Sequence, residues 1–293
     1  MILDKVFRRQ PDSAKDKETD ALSSLGIAKQ GGAEEASTLQ KMARVIAITN
    51  QKGGVGKSTT AVNLSACLAQ AGKRVLLLDI DPQGNATSGV GATKRQNACM
   101  YNALVEDKPL AELVEATPIE HLFAVPASLN LAGAEIELVP VLARETRLKK
   151  ALEPLKESYD YIIIDCPPSL GLLTVNALTA AREIIIPIQC EYYALEGLSK
   201  LLESIRLVKA NLNPNIKIAG VLMTMHDVRT KLSQQVIDEV MSFFQEKVYK
   251  SIIPRTVRLS EAPSFGLPIT LYDSDSKGSE AYQNLAKEVI NDD

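Results

Sequence analysis

A glycine-rich turn that carries a lysine constrains the fold of this chain more than any other feature. The turn is TNQKGGVGKSTT (49–60), which follows an apolar run and opens a stretch with helical apolar spacing at 57–71. Gly53, Gly54 and Gly56 let the backbone curl tightly, and the start of a helix adds a partial positive charge. A strand, such a turn and a helix in this order predict a phosphate-binding loop in an α/β protein.

Two polar side chains of this loop have predicted chemical roles. Lys57 can reach the β- and γ-phosphates of a nucleotide, and the Ser58 hydroxyl can bind Mg²⁺. The loop lacks the usual glycine at Gln51 and carries an additional cation, Lys52, able to neutralise charge on a transferred phosphoryl group. The predicted nucleotide-binding residues of the loop are Lys52, Gly53, Gly54, Val55, Gly56, Lys57, Ser58 and Thr59.

Aspartates end two other apolar runs. RVLLLDID (74–81) contains Asp79 and Asp81, and YIIID (161–165) ends in Asp165. In open α/β sheets, ligands bind at the carboxyl ends of the strands. We therefore expect carboxylates beside the loop, where they can hold the hydration shell of Mg²⁺ or orient the attacking water.

Apolar runs alternate with helical stretches from residue 42 to residue 293. The predicted strands are 44–49, 74–81, 121–126, 161–165, 183–188, 218–224 and 248–254, and the predicted helices include 57–71, 144–157, 195–211, 231–246 and 278–290. This alternation predicts an α/β fold of the P-loop NTPase type, in which helices cover both faces of a mostly parallel, twisted sheet. We expect 42–293 to form a single domain.

Residues 1–41 have a different composition. They contain seven basic and seven acidic residues, few apolar residues and a Gly31-Gly32 pair. Such a segment buries too little apolar surface to fold, so we expect a mostly disordered tail. Met42 directly precedes the first predicted strand and is a candidate translation start.

Charge and cysteine usage exclude several classes of protein. The net charge of −3 excludes a polybasic protein, although it leaves room for a local basic patch. The four cysteines (67, 99, 166 and 190) lack the paired spacing of a zinc site and suggest a reducing cytoplasm. We expect no membrane association, because no apolar run is long enough to cross a bilayer.

Five motifs, in order, closely resemble those of the ParA/Soj chromosome- and plasmid-partitioning ATPases, which have a deviant Walker-type loop. They are QKGGVGKST, DIDPQGNAT, YDYIIIDCPPSLG, QCEYYALEG (189–197) and IPRTVRLSEAPSFGLPI (253–269). The resemblance runs from about residue 45 to residue 289. It implies a weak ATPase that uses ATP and Mg²⁺ in the cytoplasm, in association with the nucleoid.

The resemblance also assigns roles within the loop. Lys52 matches the family's signature lysine, which contacts the partner's phosphates in a homodimer that sandwiches ATP. Gly53 matches the glycine whose small size lets the two loops approach. Lys57 matches the Walker lysine and Ser58 the Mg²⁺ ligand.

The resemblance also assigns roles to two carboxylates. Asp81 matches the residue that positions or activates the water, and Asp165 the Walker B carboxylate. Residues 81–85 and 167–171 correspond to switch regions that respond to the γ-phosphate. The implied catalytic residues are therefore Lys52, Lys57 and Asp81, and the implied metal site comprises Ser58, Asp81 and Asp165.

The last motifs imply contacts with the base and with DNA. Pro254 and Arg255 lie in the segment that resembles the family's contact with the nucleotide base. Arg229 and Arg258 line up with arginines that bind double-stranded DNA without sequence preference. Residues 217–258 contain seven basic and four acidic residues, an excess that favours contact with phosphates.

Other members of this loop class provide the alternatives. A MinD-like positioning ATPase would bind membranes through a basic amphipathic C-terminal helix, whereas this chain ends in KEVINDD. A nitrogenase-type reductase needs two well-placed cysteines, and a small-molecule ligase needs a second substrate pocket, for which we find no motif. The favoured function is a DNA-partitioning switch released by a ParB-like partner protein, with a MinD-like ATPase as the alternative. Chromosomal and plasmid roles both remain open.

Overall fold

A mostly parallel sheet organises the residues that the computed structural model describes, which are 42–95, 97–191 and 198–292. The strands are β1 (Arg44–Ile48), β2 (Val75–Asp79), β3 (Glu115–Ala116), β4 (Leu122–Val125), β5 (Tyr161–Asp165), β6 (Glu183–Gln189) and β7 (Lys217–Thr224). Within these residues the strand order is β3-β4-β2-β5-β1-β6-β7, and only the β3–β4 pairing is antiparallel. The predicted α/β fold is confirmed.

Helices connect the strands. They are α1 (Lys57–Gln70), α2 (Asn85–Gly89), α3 (Met100–Leu104), α4 (Leu131–Glu137), α5 (Arg147–Leu152), α6 (Leu172–Ala180), α7 (Leu198–Asn211), α8 (Lys231–Phe244), α9 (Val257–Glu261), α10 (Ile269–Tyr272) and α11 (Lys277–Asn291). Several short 3₁₀ turns extend or join these helices.

The sheet has an apolar layer on each face. Successive residues of β5 enter opposite layers, with Ile162 and Ile164 in one and Ile163 in the other. The first layer includes side chains from α6, α7 and α8, and the second includes side chains from α1 and α11. Because both faces are covered, the central strands are continuous apolar runs rather than alternating ones.

Two predicted elements differ from the structure. The predicted strand at 248–254 is wrong, since this segment makes only isolated bridges, at Val248 and Pro254. Pro254 has no N–H to donate, which prevents a regular ladder at that end. The predicted helix 144–157 is divided into α5 and flanking 3₁₀ turns, and Pro154 lies in the second of these turns.

Several predictions fall outside the described residues. These are the disordered tail at 1–41 and residues 192–197, which include most of the fourth motif and the start of the predicted helix at 195–211. The domain boundary at residue 42 therefore stays a prediction. Along the described ranges, no helix combines the length and apolarity that crossing a bilayer requires.

Strand register brings the predicted site together. Ile48 at the end of β1 pairs with Asp165 of β5, and Asp79 of β2 also pairs with Asp165. The phosphate loop starts just after β1. The loop and the strand-terminal carboxylates therefore lie at the same edge of the sheet, as predicted.

Candidate nucleotide site

The loop between β1 and α1 adopts a conformation that needs glycine at two positions. The backbone φ is 72° at Gly54 and 89° at Gly56, in the left-handed region that strains other residues. Gly56 is the N-cap of α1, and no side chain caps the helix there. The first N–H groups of α1 are therefore available to phosphate oxygens.

Contacts with two strand ends hold the loop in this shape. Asn50 Nδ2 donates to the Pro187 carbonyl of β6 at 2.7 Å, and Asn50 Oδ1 accepts from the Lys52 N–H at 3.0 Å. The Thr224 hydroxyl of β7 donates to the carbonyl of buried Val55 at 2.9 Å. Sequence reasoning missed Asn50 and Thr224, although a polar residue at the end of an apolar run was an available signal.

Lys57 is the cation at the base of the loop. Only 6% of its surface is exposed, and its Nζ donates to the Lys52 carbonyl at 3.3 Å. Burial lowers the pKa of Lys57, while the charges of Asp165 and Asp81 oppose that shift. A buried ammonium that bonds a loop carbonyl can exchange this weak acceptor for a phosphate oxygen.

Asp165 is a buried carboxylate whose surroundings favour a bound cation. Burial, followed by the charge of Asp79, raises its pKa well above the usual range. The neighbouring Ser58 hydroxyl and Lys57 oppose this shift, but neither carboxylate oxygen has a hydrogen-bond partner among the described residues. Orphaned carboxylate oxygens beside a hydroxyl suit Mg²⁺, a cation that prefers oxygen ligands.

The metal would not be held by protein alone. No group of three or more His, Cys, Asp or Glu side chains in the described ranges is arranged to hold a metal ion. Mg²⁺ typically binds one or two carboxylates and completes its shell with water and substrate phosphates. The predicted set of Ser58, Asp81 and Asp165 therefore fits a metal that arrives with the nucleotide.

Asp79 and Asp81 lie two residues apart but differ in their surroundings. Asp79 Oδ2 accepts from the N–H and the hydroxyl of Thr87, both at 2.7 Å, and Oδ1 accepts from the Asp81 N–H at 3.1 Å. Burial raises the pKa of Asp79 to about 6. Asp81 Oδ1 accepts from the Gln83 N–H, at 2.9 Å, and its side chain lines the adjacent cavity. Asp79 thus fixes the segment that presents Asp81.

A cavity of about 600 Å³ unites most of the predicted site. Its lining includes the three loop glycines, Lys57, Ser58 and Thr59, together with Asp81, Pro254 and Arg255. Three predicted residues are not in the lining: Val55 and Asp165 are buried, and Lys52 is half-buried outside it. Pro168, from the second predicted switch segment, also lines the cavity.

The segment at 253–255 also lines the cavity. The His226 N–H donates to the Ile253 carbonyl at 3.0 Å, and the Arg255 N–H donates to the His226 carbonyl at 2.9 Å. The Arg255 guanidinium is 3.6 Å from the Glu191 carboxylate and largely exposed. Its exposure leaves it free to move against a bound base.

The two arginines predicted to bind DNA already have acidic partners. Arg229 makes a two-pronged contact with Asp227, at 2.9 and 2.7 Å, and 83% of its side chain is exposed. This contact lowers the pKa of Asp227. Arg258 lies 3.3 Å from both Glu261 and Asp273. Counting charges along the sequence did not reveal these pairs.

Known proteins resemble this chain over most of its length. An AAA domain family (AAA_31) matches residues 43–218. The Bacillus subtilis sporulation initiation inhibitor protein Soj is 64% identical over 249 residues, 85% of this chain and 98% of that protein. The Treponema pallidum chromosome-partitioning ATPase Soj is 50% identical, with 85% of this chain and 98% of that protein covered.

A solved structure has the same fold. Cobyrinic acid a,c-diamide synthase from Mycobacterium smegmatis, crystallised with ADP and magnesium, matches with a TM-score of 0.75 and 38% identity. The match covers 85% of this chain and 95% of the synthase. Its identity is lower than that of the Soj relatives, so the ligase alternative is the weaker one.

Proposed function

Because this chain belongs to the ParA/Soj family of chromosome-partitioning ATPases, we propose that it is an ATP-driven DNA-partitioning switch. Family membership makes it an ATPase that uses ATP and Mg²⁺ and takes part in partitioning. The proposed cycle has three steps. ATP drives dimerisation, the dimer binds DNA without sequence preference on the nucleoid, and a ParB-like partner stimulates hydrolysis and release.

The buried Lys57 is the observation that carries this proposal. A lysine residue that is only 6% exposed, beside a cavity lined by the first residues of α1, is explained by a polyanionic ligand. Lys57 binds the β- and γ-phosphates, and the start of α1 orients them. Arg255 and Pro254 contact the base across the cavity.

Hydrolysis depends on the carboxylates at the strand ends. The Asp81 carboxylate, held by the Gln83 N–H, orients or deprotonates the attacking water. Ser58 and Asp165 would hold Mg²⁺. When bound, this ion neutralises charge on the phosphate oxygens.

Lys52 is the proposed link between ATP and dimerisation. Its ammonium has no hydrogen-bond or ion-pair partner in the described part of the chain, and it does not line its own cavity. In a dimer that sandwiches ATP, it would contact the partner's phosphates and stabilise the charge that develops there.

DNA binding requires the two arginines to exchange partners. Arg229 must leave Asp227, and Arg258 must leave Glu261 and Asp273, before either binds a phosphate. Exposed ion pairs are weak, so a polyanion with several phosphates can outcompete them. A dimer presents the two arginines twice. We therefore expect DNA binding only in the ATP state, and a steep loss of DNA affinity as the salt concentration rises.

The MinD-like alternative is disfavoured by the last helix. α11 buries Tyr282, Leu285 and Val289 in the apolar layer beside α1. An amphipathic membrane anchor has to present its apolar face to lipid. The apolar face of α11 is already used within the protein.

Fluorescence anisotropy of a labelled duplex of arbitrary sequence tests the proposal. The full chain is titrated with ATP–Mg²⁺, with ADP–Mg²⁺ and without nucleotide, each at two salt concentrations. We expect binding with ATP alone and weaker binding at the higher salt concentration. Equal binding in all three states, or no binding in any, would contradict the switch.

A further inference from the structure

The segment at 81–85, which presents Asp81 to the nucleotide cavity, is held partly by a lysine from outside it. Lys94 Nζ donates to the Gln83 carbonyl at 2.8 Å. Its side chain also lies across Gly84, where an added Cβ would be 2.7 Å from Lys94 Cε. The backbone φ of Gly84 is 64°, in the region that favours glycine. Lys94 therefore contacts the segment at two successive residues.

Gln83 connects Lys94 with Asp81. Its N–H donates to Asp81 Oδ1 at 2.9 Å, and its carbonyl accepts from Lys94 at 2.8 Å. The Gly84 N–H closes the turn by donating to the Asp81 carbonyl at 2.9 Å. Each peptide group is planar, so the chain here moves only by rotation about φ and ψ. A shift of the Gln83 carbonyl would therefore also disturb the bond that holds the Asp81 carboxylate.

The chain on both sides of Lys94 is anchored to the sheet. The Thr93 N–H donates to Glu115 Oε1 at 2.9 Å, and Arg95 Nη2 lies 3.6 Å from Glu115 Oε2. Glu115 belongs to β3, and only 17% of its side chain is exposed. Lys94 thus reaches the segment from an anchored backbone, which lowers the conformational entropy that is lost when the contact forms.

Lys94 is placed to act on Asp81 rather than on the nucleotide. Gln83 and Asp81 line the nucleotide cavity, whereas Lys94 is exposed and absent from the lining. A surface lysine usually keeps its ammonium in water. This ammonium instead bonds a carbonyl of the segment that carries the residue proposed to act on the attacking water.

We propose that Lys94 is a positioning residue for hydrolysis, which holds the Gln83 peptide so that Asp81 faces the attacking water. The proposal rests on the role proposed above for Asp81 and adds the residue that keeps this carboxylate in place. Proton transfer requires heavy atoms within about 2.6–3.2 Å of each other. A misplacement of about 1 Å can cost about 100-fold in rate, so a contact outside the cavity can control the reaction within it.

Lys94→Met in the full chain tests the proposal, because methionine keeps an apolar stem over Gly84 and removes the ammonium. Release of labelled phosphate is measured over a range of ATP concentrations with Mg²⁺, which gives kcat and KM separately. We expect kcat to fall roughly three- to tenfold, the range that one hydrogen bond supplies. KM and the affinity for a non-hydrolysable ATP analogue should stay within about twofold of the wild type.

Two further variants provide the rescue and the matched control. Lys94→Arg keeps nitrogen donors on a long stem and should restore kcat to within about twofold of the wild type. Lys149→Met changes an exposed lysine of α5 and should leave kcat unchanged. The unfolding midpoint, and the mass in solution with the analogue, should match the wild type in all three variants. Lys94→Gln replaces Lys94→Met if that variant unfolds.

A double-mutant cycle shows whether Lys94 acts through Asp81. Asp81→Ala alone should lower kcat about 10²–10⁴-fold. Adding Lys94→Met should then change kcat by less than about twofold, because the carboxylate that Lys94 positions is already gone. A further fall as large as that caused by Lys94→Met alone would show that Lys94 acts independently of Asp81, and would overturn the proposal.

The remaining outcomes separate Lys94 from Asp81. If Asp81→Ala hydrolyses ATP at the wild-type rate, the role proposed for Asp81 fails and that of Lys94 fails with it. If Asp81→Ala loses turnover and Lys94→Met keeps the wild-type kcat, only the role of Lys94 is overturned. A loss of analogue affinity in Lys94→Met as large as the loss of kcat would also overturn it, because the ammonium would then contact the nucleotide itself.

Discussion

The cations of the phosphate loop and those of the proposed DNA patch differ in what surrounds them. Lys57 is buried beside a cavity, and its Nζ donates to the Lys52 carbonyl at 3.3 Å. Arg229 and Arg258 are mostly exposed and lie against carboxylates. The buried site offers Lys57 to an anion that enters the cavity, whereas the exposed arginines already contact carboxylates.

The difference has an energetic reason. A buried charge is costly, and the charges of Asp165 and Asp81 favour the charged form of Lys57, as a bound phosphate would do more strongly through direct contact. A surface ion pair contributes about 0–1 kcal/mol, so losing or exchanging it changes little. We therefore expect the phosphate loop to bind nucleotide tightly. DNA binding by the exposed arginines should depend on the density of phosphates and on the salt concentration.

The largest effect should come from Lys57→Ala. Truncating one member of a buried charged contact costs about 2–5 kcal/mol, so ATP affinity should fall by about 30-fold or more. Isothermal titration with ATP and Mg²⁺ measures it. Lys209→Ala, an exposed lysine of α7, is the control and should bind normally; similar affinities in the two variants would place Lys57 outside the site.

Asp81→Ala should uncouple hydrolysis from binding. A positioned general base contributes about 10²–10⁴-fold to a rate, so turnover should fall within that range. ATP affinity should change little, and the ATP dimer should accumulate. A phosphate-release assay at saturating ATP checks the rate; turnover at the wild-type level would remove Asp81 from the mechanism.

Asp79 should affect stability rather than chemistry. Burial raises its pKa from 3.8 to about 6, so the folded protein holds this proton more tightly than the unfolded chain does. That stabilisation is fully present below about pH 4 and is lost as the pH rises through about 6. The loss is up to about 3 kcal/mol in the free energy of unfolding.

Urea unfolding without nucleotide or metal, between pH 4.5 and 7.5, measures this dependence. Asp79→Asn cannot titrate and should flatten the curve over that range. Asp165 also has a raised pKa, to which the charge of Asp79 contributes, so Asp79→Asn should also reduce the pH dependence that comes from Asp165. Identical curves for the two proteins would show that Asp79 has the same pKa in the folded protein as in the unfolded chain.

Arg229→Ala with Arg258→Ala should weaken DNA binding at least tenfold and leave ATP affinity unchanged. Loss of two phosphate contacts should also reduce the slope of log affinity against log salt by about 2 for each protomer. Anisotropy titrations at several salt concentrations measure both. A fall in ATP affinity would instead mean that these arginines shape the fold.

Asp227→Asn gives the smallest effect and the opposite sign. It removes the charge that holds Arg229 at 2.7 Å. If Arg229 binds phosphates, freeing it should strengthen DNA binding a few-fold. Unchanged or weaker binding would indicate that Asp227 positions Arg229 instead of competing with DNA.

Much of the nucleotide site could be predicted from the sequence because its geometry is local. Gly54 and Gly56 mark positive φ angles, and the residues next to them are fixed by the turn. The contributions of Asn50 and Thr224 were missed, because their partners lie on β6 and β7, far along the chain. The strand at 248–254 was predicted wrongly because apolar composition does not reveal how many hydrogen bonds a neighbouring strand can accept.

The two aspartates at the end of β2 also show what sequence-based prediction misses. Asp79 and Asp81 are equivalent by spacing and residue type, yet one bonds Thr87 and the other faces the cavity. The resemblance to a family selected Asp81. The structure adds the reason, which is that β2 ends at Asp79, whereas Asp81 lies beyond the strand in a bend.

The sequence by itself determined the loop, the alternation of strands and helices, and the edge of the sheet at which we propose that the nucleotide binds. These follow from short-range backbone geometry and from the period of apolar residues. Only the tertiary structure decided how the arginines are paired, which buried carboxylate oxygens lack hydrogen-bond partners among the described residues, and that Ile136 and Leu142 are exposed. Pairing and burial depend on residues distant in sequence, whose approach is set by packing of the whole sheet and its helices.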